Sequence, residues 1–161
     1  MILLKFATEI KGTSKIKEHE HWIPVKSCSF NVERDVHTVG GGRSPSVAKF
    51  EAIEFSKMSD ISSAELFIQS VAGNSLVSAK IHFIQTGGVG QPDQVYLKVV
   101  LDNPIITNYN FTGDADDQPQ ETFKVHFQRI SYQYNLYDGS KVTHGTPKGW
   151  CCIKNEPWVH A

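Results

Sequence analysis

Histidines are the residues with the clearest capacity for chemistry in this chain. His19 and His21 flank Glu20 in the run HEH, and in a β-strand both imidazoles would lie on one face. A third ligand, His126 or His82, could then complete a metal site. Histidines just before a strand are usually surface residues, so we expect no bound metal. A stand-alone β-barrel that binds a metal or small molecule through surface histidines remains the alternative.

The cysteines offer a second kind of chemistry. Cys151 or Cys152 beside a histidine such as His144 could form a nucleophile and base, which leaves a cysteine hydrolase as a third reading. Nothing in their spacing favours that pair, and the chain has no Gly-x-Ser-x-Gly elbow. With Cys28, the thiols are too few for a disulfide framework. The runs GGGR and GDADDQ also depart from phosphate-loop and calcium-loop patterns. We expect no catalysis and no cofactor.

Composition excludes several classes of partner. The 161 residues carry 16 basic and 17 acidic side chains, with a net charge of -1 and no long block of one sign, so neither nucleic acid nor a membrane is an expected partner. The opening MILLKFATEIKG has too short an apolar run for a signal peptide. We expect synthesis in the cytoplasm without a signal peptide, as a single domain over residues 1–161.

Most of the chain alternates apolar and polar residues with the period of a β-strand. Segments such as VSAKIHFIQ and QVYLKVVLDN show the pattern, and runs rich in turn formers separate them, including QTGGVGQPDQ and TGDADDQPQE. These connections suit hairpins and are too short for helical crossovers. The sequence therefore predicts a mainly β, antiparallel fold.

Two strands change their apolar parity partway along. In TFKVHFQRISYQYNL the alternation through Phe123 and Val125 resumes on the opposite parity at Ile130, which predicts a β-bulge near Gln128 and Arg129. FEAIEFS, at residues 50–56, shows the same change. Such bent strands can leave one part of a closed sheet and join another, which indicates a small β-barrel or closed sandwich.

One helix and one long loop interrupt the β pattern. Residues 62–72 have helical spacing, with Ser62 and Glu65 placed as a capping box and Gly73 as a stop, so we predict one short flanking helix. The stretch 33–50 has few apolar residues and reads as a long extended loop, a candidate contact element or a mobile hairpin tip. The apolar face predicted for the helix comprises Ala64, Phe67, Ile68, Val71 and Ala72.

With these elements placed, the chain resembles the haemolysin-coregulated protein (Hcp) family, the tube subunits of bacterial type VI secretion systems. No single motif is diagnostic, but the order and spacing of several together are specific. Cys28 and Phe30 stand where the family often has tryptophans, and Ala64 where it often has proline. The carriers of the resemblance are KGTSK with His19, IPVKSCSFNV, the GGG loop, DISSAELFIQSVAG, YLKVVLDNPII, QETFKVHFQRISYQY, and finally Asp138, Gly139, Gly149 and Trp150.

The resemblance implies a structural protein without catalysis. Its subunits form hexameric rings that stack into a hollow tube, which a contractile sheath expels with a spike protein at its tip, carrying small effector proteins in the lumen. Ser29 matches the family's small lumen-facing residue, so we expect it to face cargo. For ring stacking, the resemblance implicates the loop residues His37, Gly40, Gly41, Gly42 and Arg43.

The ring interface is predicted from exposed apolar positions. Val99 and Val100 are adjacent in a strand, so one of them must point away from the interior. Tyr132 and Tyr134 lie beyond the parity change and are the other candidates.

Overall fold

The computed structural model describes residues 1–160 and contains two main antiparallel sheets and one helix. The helix, α1, spans Ser63–Ala72. The strands are β1 (Ile2–Phe6), β2 (Ile23–Val25), β3 (Ser27–Ser29), β4 (Val32–Glu33), β5 (Val36–Val39), β6 (Gly42–Pro45), β7 (Lys49–Phe50), β8 (Ile53–Met58), β9 (Ser78–Gln85), β10 (Gln94–Asp102), β11 (Ile105–Asp114), β12 (Asp117–His126), β13 (Arg129–Asp138), β14 (Lys141–His144), β15 (Lys148–Cys151) and β16 (Glu156–Pro157).

The larger sheet has eight strands and the smaller has four. The larger runs β16-β15-β13-β10-β9-β1-β2, with β14 paired to β13, and the smaller runs β11-β12-β8-β3. Their inner faces share one core, in which Phe55 and Phe123 stack at 5.1 Å between ring centroids. Across residues 1–160 neither sheet closes on itself, so of the two predicted architectures, barrel and sandwich, the fold is the sandwich.

The chain crosses between the sheets at short corners. β12 ends at His126 in the smaller sheet and β13 begins at Arg129 in the larger one, so Phe127 and Gln128 form a corner. The predicted bulge near Gln128 and Arg129 is therefore a break between two strands. The second parity change has the same cause, because β7 ends at Phe50 and β8 begins at Ile53.

The helix forms at the predicted place but packs by a different face. Leu66 is its only buried residue, whereas Phe67, Ile68 and Val71 are about half or more exposed. Ser62 makes no side-chain capping bond, so the capping box is absent, and its hydroxyl donates to Asp60 instead. The predicted stop is confirmed, since Gly73 has a left-handed φ of 67° and its N–H bonds the carbonyl of Gln69.

The predicted long loop is mostly a projecting β-hairpin. β5 and β6 pair with each other alone, with Val39 opposite Gly42. Gly40 and Gly41 take positive φ values of 59° and 83°, which a tight hairpin turn requires of both central residues. Every residue of β5 and β6 is exposed, because the hairpin extends away from the core.

Candidate functional site

Ser29 lies on the polar outer face of the smaller sheet. It is exposed at the end of β3, directly opposite Glu54 of β8, and the Glu54 carboxylate lies 3.9 Å from the Lys124 ammonium of β12. Phe30 beside it is 40% exposed. A groove of about 470 Å³ follows this face, lined by Ser29, Phe30, Asn31, Glu51, Ala52, Glu54 and Lys124.

Ser29 is the one predicted site residue in this groove, although the sequence also contains a signal for Glu54 and Lys124. Glu54 and Lys124 alternate with the buried Phe55 and Phe123, so their outward direction follows from strand parity. What parity does not reveal is that β8 and β12 are neighbours. That pairing places Lys124 opposite Glu54.

The residues predicted for ring stacking occupy the free hairpin. His37 and Arg43 lie on opposite strands, where they face Ser44 and Thr38 respectively. All the predicted stacking positions are exposed. The hairpin thus offers backbone and side-chain surface that the subunit's own core does not use.

The four predicted interface positions divide into three groups. Val99 is 4% exposed and belongs to the core, so it has almost no surface left for another subunit, which corrects its assignment. Val100 points outward from the larger sheet and is half-buried. Tyr132 and Tyr134 are 45% and 49% exposed, and Tyr134 meets Tyr96 edge-on with 6.0 Å between ring centroids.

A larger apolar surface lies on α1, where the sequence had predicted burial. Phe67 is 49%, Ile68 52% and Val71 72% exposed, and the Phe67 ring lies 6.0 Å from that of Tyr109 on β11. Phe111, two residues further along the same strand, is 57% exposed. Contiguous exposed apolar side chains of this kind mark interaction surfaces more often than isolated ones do.

The smaller sheet also has two open edges. β3 and β11 each pair with one strand only, which leaves one row of backbone N–H and C=O groups on each without a β-strand partner. Open edges can accept a strand from another chain.

The histidines do not come together as the metal site considered as the alternative. Residues 19–21 lie outside any strand, so His19 and His21 do not share a strand face. His19 instead shares a hydrogen bond with His82, with Nε2 and Nδ1 2.8 Å apart. His126 is exposed in the smaller sheet. No three His, Cys, Asp or Glu residues among residues 1–160 come together as a candidate metal-binding group.

The cysteines lack the geometry of a nucleophile and base. His144 faces the Asn135 side-chain oxygen at 3.3 Å, and Cys151 is 2% exposed. The backbone N–H of Lys154 and the Arg129 guanidinium lower the pKa of the Cys151 thiol, which burial opposes. Burial raises the pKa of Cys28 to about 11. All three cysteines are free thiols.

Comparison with known proteins gives the family. The model for "Type VI secretion system effector, Hcp" matches residues 4–134, which is most of the chain. The chain belongs to the Hcp family. This confirms the resemblance recognised in the sequence and assigns the chain to the type VI secretion system.

Solved structures of Hcp proteins share this fold at low sequence identity. A structure described as a type six secretion system protein has a TM-score of 0.88 at 19% identity, covering 98% of both chains. Hcp1 from Salmonella typhimurium has a TM-score of 0.78 at 21% identity, covering 98% of this chain and 97% of its own. A type VI secretion system effector from Yersinia pestis has a TM-score of 0.73 at 18% identity, covering 94% and 99%. No curated protein matches the sequence.

The family is known for a structural role. Hcp is a family of structural tube proteins secreted by the type VI system. The one helix of residues 1–160 is too short and too polar to cross a membrane.

Proposed function

We propose that six copies of this chain form a ring, and that the rings stack into the hollow inner tube of a type VI secretion system. The tube is secreted to the extracellular space or a target cell. A spike protein caps the tube, a contractile sheath surrounds it, and small effector proteins travel inside it. Membership of the Hcp family supports this role, and the chain's exposed surfaces fit self-assembly.

The exposed apolar face of α1 carries the proposal. Phe67, Ile68 and Val71 leave enough hydrocarbon in water to favour association, since each fully buried side chain of this size contributes about 1.5–3 kcal/mol. In an isolated monomer these exposed side chains contribute no free energy of burial. Burial against a second copy accounts for an apolar face that the subunit's own core leaves uncovered.

A closed ring needs two different contact surfaces on each subunit, because the contact is head to tail. The helix face lies beside β11 of the smaller sheet, whereas the exposed Tyr132 and Tyr134 belong to the larger sheet, and the two are candidates for these surfaces. The open edges β3 and β11 are a second candidate pair, because they bound the same sheet on opposite sides. Edge pairing around a ring would make the small sheets continuous and turn their polar faces, with Ser29, to the lumen.

Light scattering of the purified chain over a dilution series tests the ring. We expect a species of 108 kDa, six times the 18.0 kDa chain. The variant Val71→Asp should shift that species toward monomer, because it places a charge in the apolar contact. The control Asn74→Asp adds the same charge just after the helix and should leave the mass unchanged.

The monomer fold must survive in both variants, which circular dichroism and thermal unfolding check. Val71 is 72% exposed, so the substitution removes little of the core. A hexamer that persists in Val71→Asp would show that the helix face lies outside the ring contact. A wild-type chain that stays at 18.0 kDa throughout would count against the proposal in solution.

A further inference from the structure

The outer face of the larger sheet carries a basic groove that the ring proposal does not use. Lys80 and His82 lie on β9 and Lys98 on β10, all directed away from the core. His160 borders the groove, which measures about 250 Å³. Its lining is completed by Val100, Ser131, Gln133 and Pro147, and none of the described residues that line it is a carboxylate.

The lysines in and beside this groove have no ion-pair partner among residues 1–160. Lys5 and Lys80 are directly opposite on β1 and β9, where like charges destabilise a sheet, and Lys98 is opposite His82. Among residues 1–160, none of the three lysines forms an ion pair. Asp102 lies on the same strand as Lys98, but its carboxylate pairs with Arg129 at 2.9 Å.

The pKa of His82 is affected by the same excess of positive charge. Burial is the main cause that lowers the pKa of His82 to about 3, and the positive charges of His19, Lys98 and Lys80 contribute to the same shift. No carboxylate contributes an opposing effect. An anion in the groove would relieve this repulsion.

A complementary acidic surface lies on another part of the chain. The tip of the β11–β12 hairpin holds Asp114, Asp116 and Asp117, all exposed. None of the three pairs with a lysine, arginine or histidine in the described part of the chain. The side chains of Asp114 and Asp117 accept hydrogen bonds from nearby backbone N–H groups, those of Asp116 and Gln118.

One subunit cannot join its own two surfaces. The groove lies on the face of the larger sheet that points away from the smaller sheet, and the acidic hairpin extends from that smaller sheet. A contact between them therefore requires two copies. It would also be head to tail, because each copy presents a groove and a tip, so the contact could repeat.

We propose that the acidic tip at residues 114–117 of one copy docks into the basic groove formed by Lys80, Lys98 and His160 of the next copy. The inference rests on the proposed function, since a tube requires contacts between copies. It adds an electrostatic contact to the apolar ones, and such contacts mainly set specificity and association rate.

A charge-exchange experiment tests this pairing. One variant, the groove variant, carries Lys80→Glu and Lys98→Glu, and a second, the tip variant, carries Asp114→Lys and Asp116→Lys. Self-association is measured by sedimentation velocity at about 50 mM and about 500 mM salt, where the screening lengths differ several-fold. As control, Lys15→Glu with Lys141→Glu makes the same charge change at exposed lysines outside the groove.

We expect each variant alone to associate about tenfold more weakly than wild type at low salt. High salt should abolish most of that difference. An equimolar mixture of the two variants should recover association to within about threefold of wild type, because the glutamates introduced in the groove would then face the lysines introduced at the tip. Should the groove variant fail to fold, Lys80→Gln with Lys98→Gln replaces it, with about threefold weakening expected.

Failure of the mixture to recover, or weakening by the groove variant but not the tip variant, would overturn the inference. Such results would mean that the acidic tip does not bind in the groove. A wild-type hexamer of normal mass with unaffected variants would refute this contact and leave the ring proposal standing. Absence of any wild-type association would instead refute the ring proposal itself.

Discussion

A buried ion pair beneath α1 offers the most quantitative test of the packing described above. The Lys57 ammonium lies 3.5 Å from the Glu121 carboxylate, directly across from it on neighbouring strands, and both side chains are fully buried. Lys57 also contacts Asp60 at 3.0 Å. Glu121 accepts hydrogen bonds from the hydroxyls of Ser63 on α1 and Tyr109 on β11. The pair therefore connects both strands with the helix and the edge strand.

Removing one partner should cost far more than removing both. Glu121→Ala leaves a buried ammonium with Asp60 as its remaining carboxylate, and removes the acceptor for two hydroxyls. Breaking a buried pair in this way costs about 3–5 kcal/mol of unfolding free energy. In a domain of this size that corresponds to a fall in Tm of roughly 6–20 °C. Lys57→Met with Glu121→Leu should lie within about 1–2 kcal/mol of wild type, because it removes both charges of the fully buried pair. Asp60 then loses its lysine partner, but it is partly exposed and keeps the hydrogen bonds from Ser62.

The opposite face of the same two strands provides a matched control. Glu54 and Lys124 are also directly opposite, but their side chains are each 50% exposed and 3.9 Å apart. Solvent screening limits such a pair to about 0–1 kcal/mol, so Glu54→Ala should change stability little. The Lys57–Glu121 and Glu54–Lys124 pairs thus occupy equivalent positions on the two strands and differ mainly in burial.

Urea unfolding followed by circular dichroism measures these differences at one fixed protein concentration, since association would stabilise the folded state. Wild type, Lys57→Met, Glu121→Leu and the variant with both substitutions give a double-mutant cycle with an expected coupling of about 3 kcal/mol. A loss of unfolding free energy below about 1 kcal/mol for Glu121→Ala would refute the reasoning. So would a Lys57→Met with Glu121→Leu variant that is no more stable than Glu121→Ala.

Three further predictions concern the lumen, the hairpin and pH. Ser29→Gln should leave the ring mass unchanged and weaken retention of cargo in a co-purification assay, and loss of the ring would show that Ser29 is at the subunit interface. Deletion of Gly40–Gly42 should spare the unfolding midpoint and reduce tubes seen by electron microscopy, unless the hairpin is not part of the stacking contact. The pKa of His82 is lowered to about 3, so the unfolded chain binds a proton that the folded chain excludes, and stability is lost as pH falls below about 6.5. Between pH 7 and pH 5 we expect a loss of about 1–2 kcal/mol that is absent from His82→Gln, and parallel profiles for the two proteins would disprove the assignment.

Local sequence rules predicted the element types well. Alternation with period two predicted the strands because a pleated strand must place successive side chains on opposite faces. Gly73 predicted the helix end because the left-handed conformation is accessible to glycine at little cost. The order of short segments such as IPVKSCSFNV also identified the family, which the family comparison confirms.

Failures arose where the answer depended on a partner distant in the chain. The apolar spacing of α1 predicted that Phe67 and Val71 would be buried, but the helix packs through Leu66. A polar anchor accompanies this orientation, since Ser63 in the first turn bonds to Glu121, 58 residues away. Helical periodicity cannot reveal such an anchor.

The difference between local pattern and distant packing also explains the outcomes at Val99 and near Gln128. Parity established that Val99 and Val100 point in opposite directions, and only the packing of the two sheets decided that Val99 is the inner one. The parity change near Gln128 was visible in the sequence, whereas its meaning depended on β12 and β13 belonging to different sheets. Sequence by itself thus determined the local elements and the family, because backbone geometry and residue order are properties of short segments. Tertiary structure alone decided which faces are buried and which remain for a partner, because burial is a property of elements packed together.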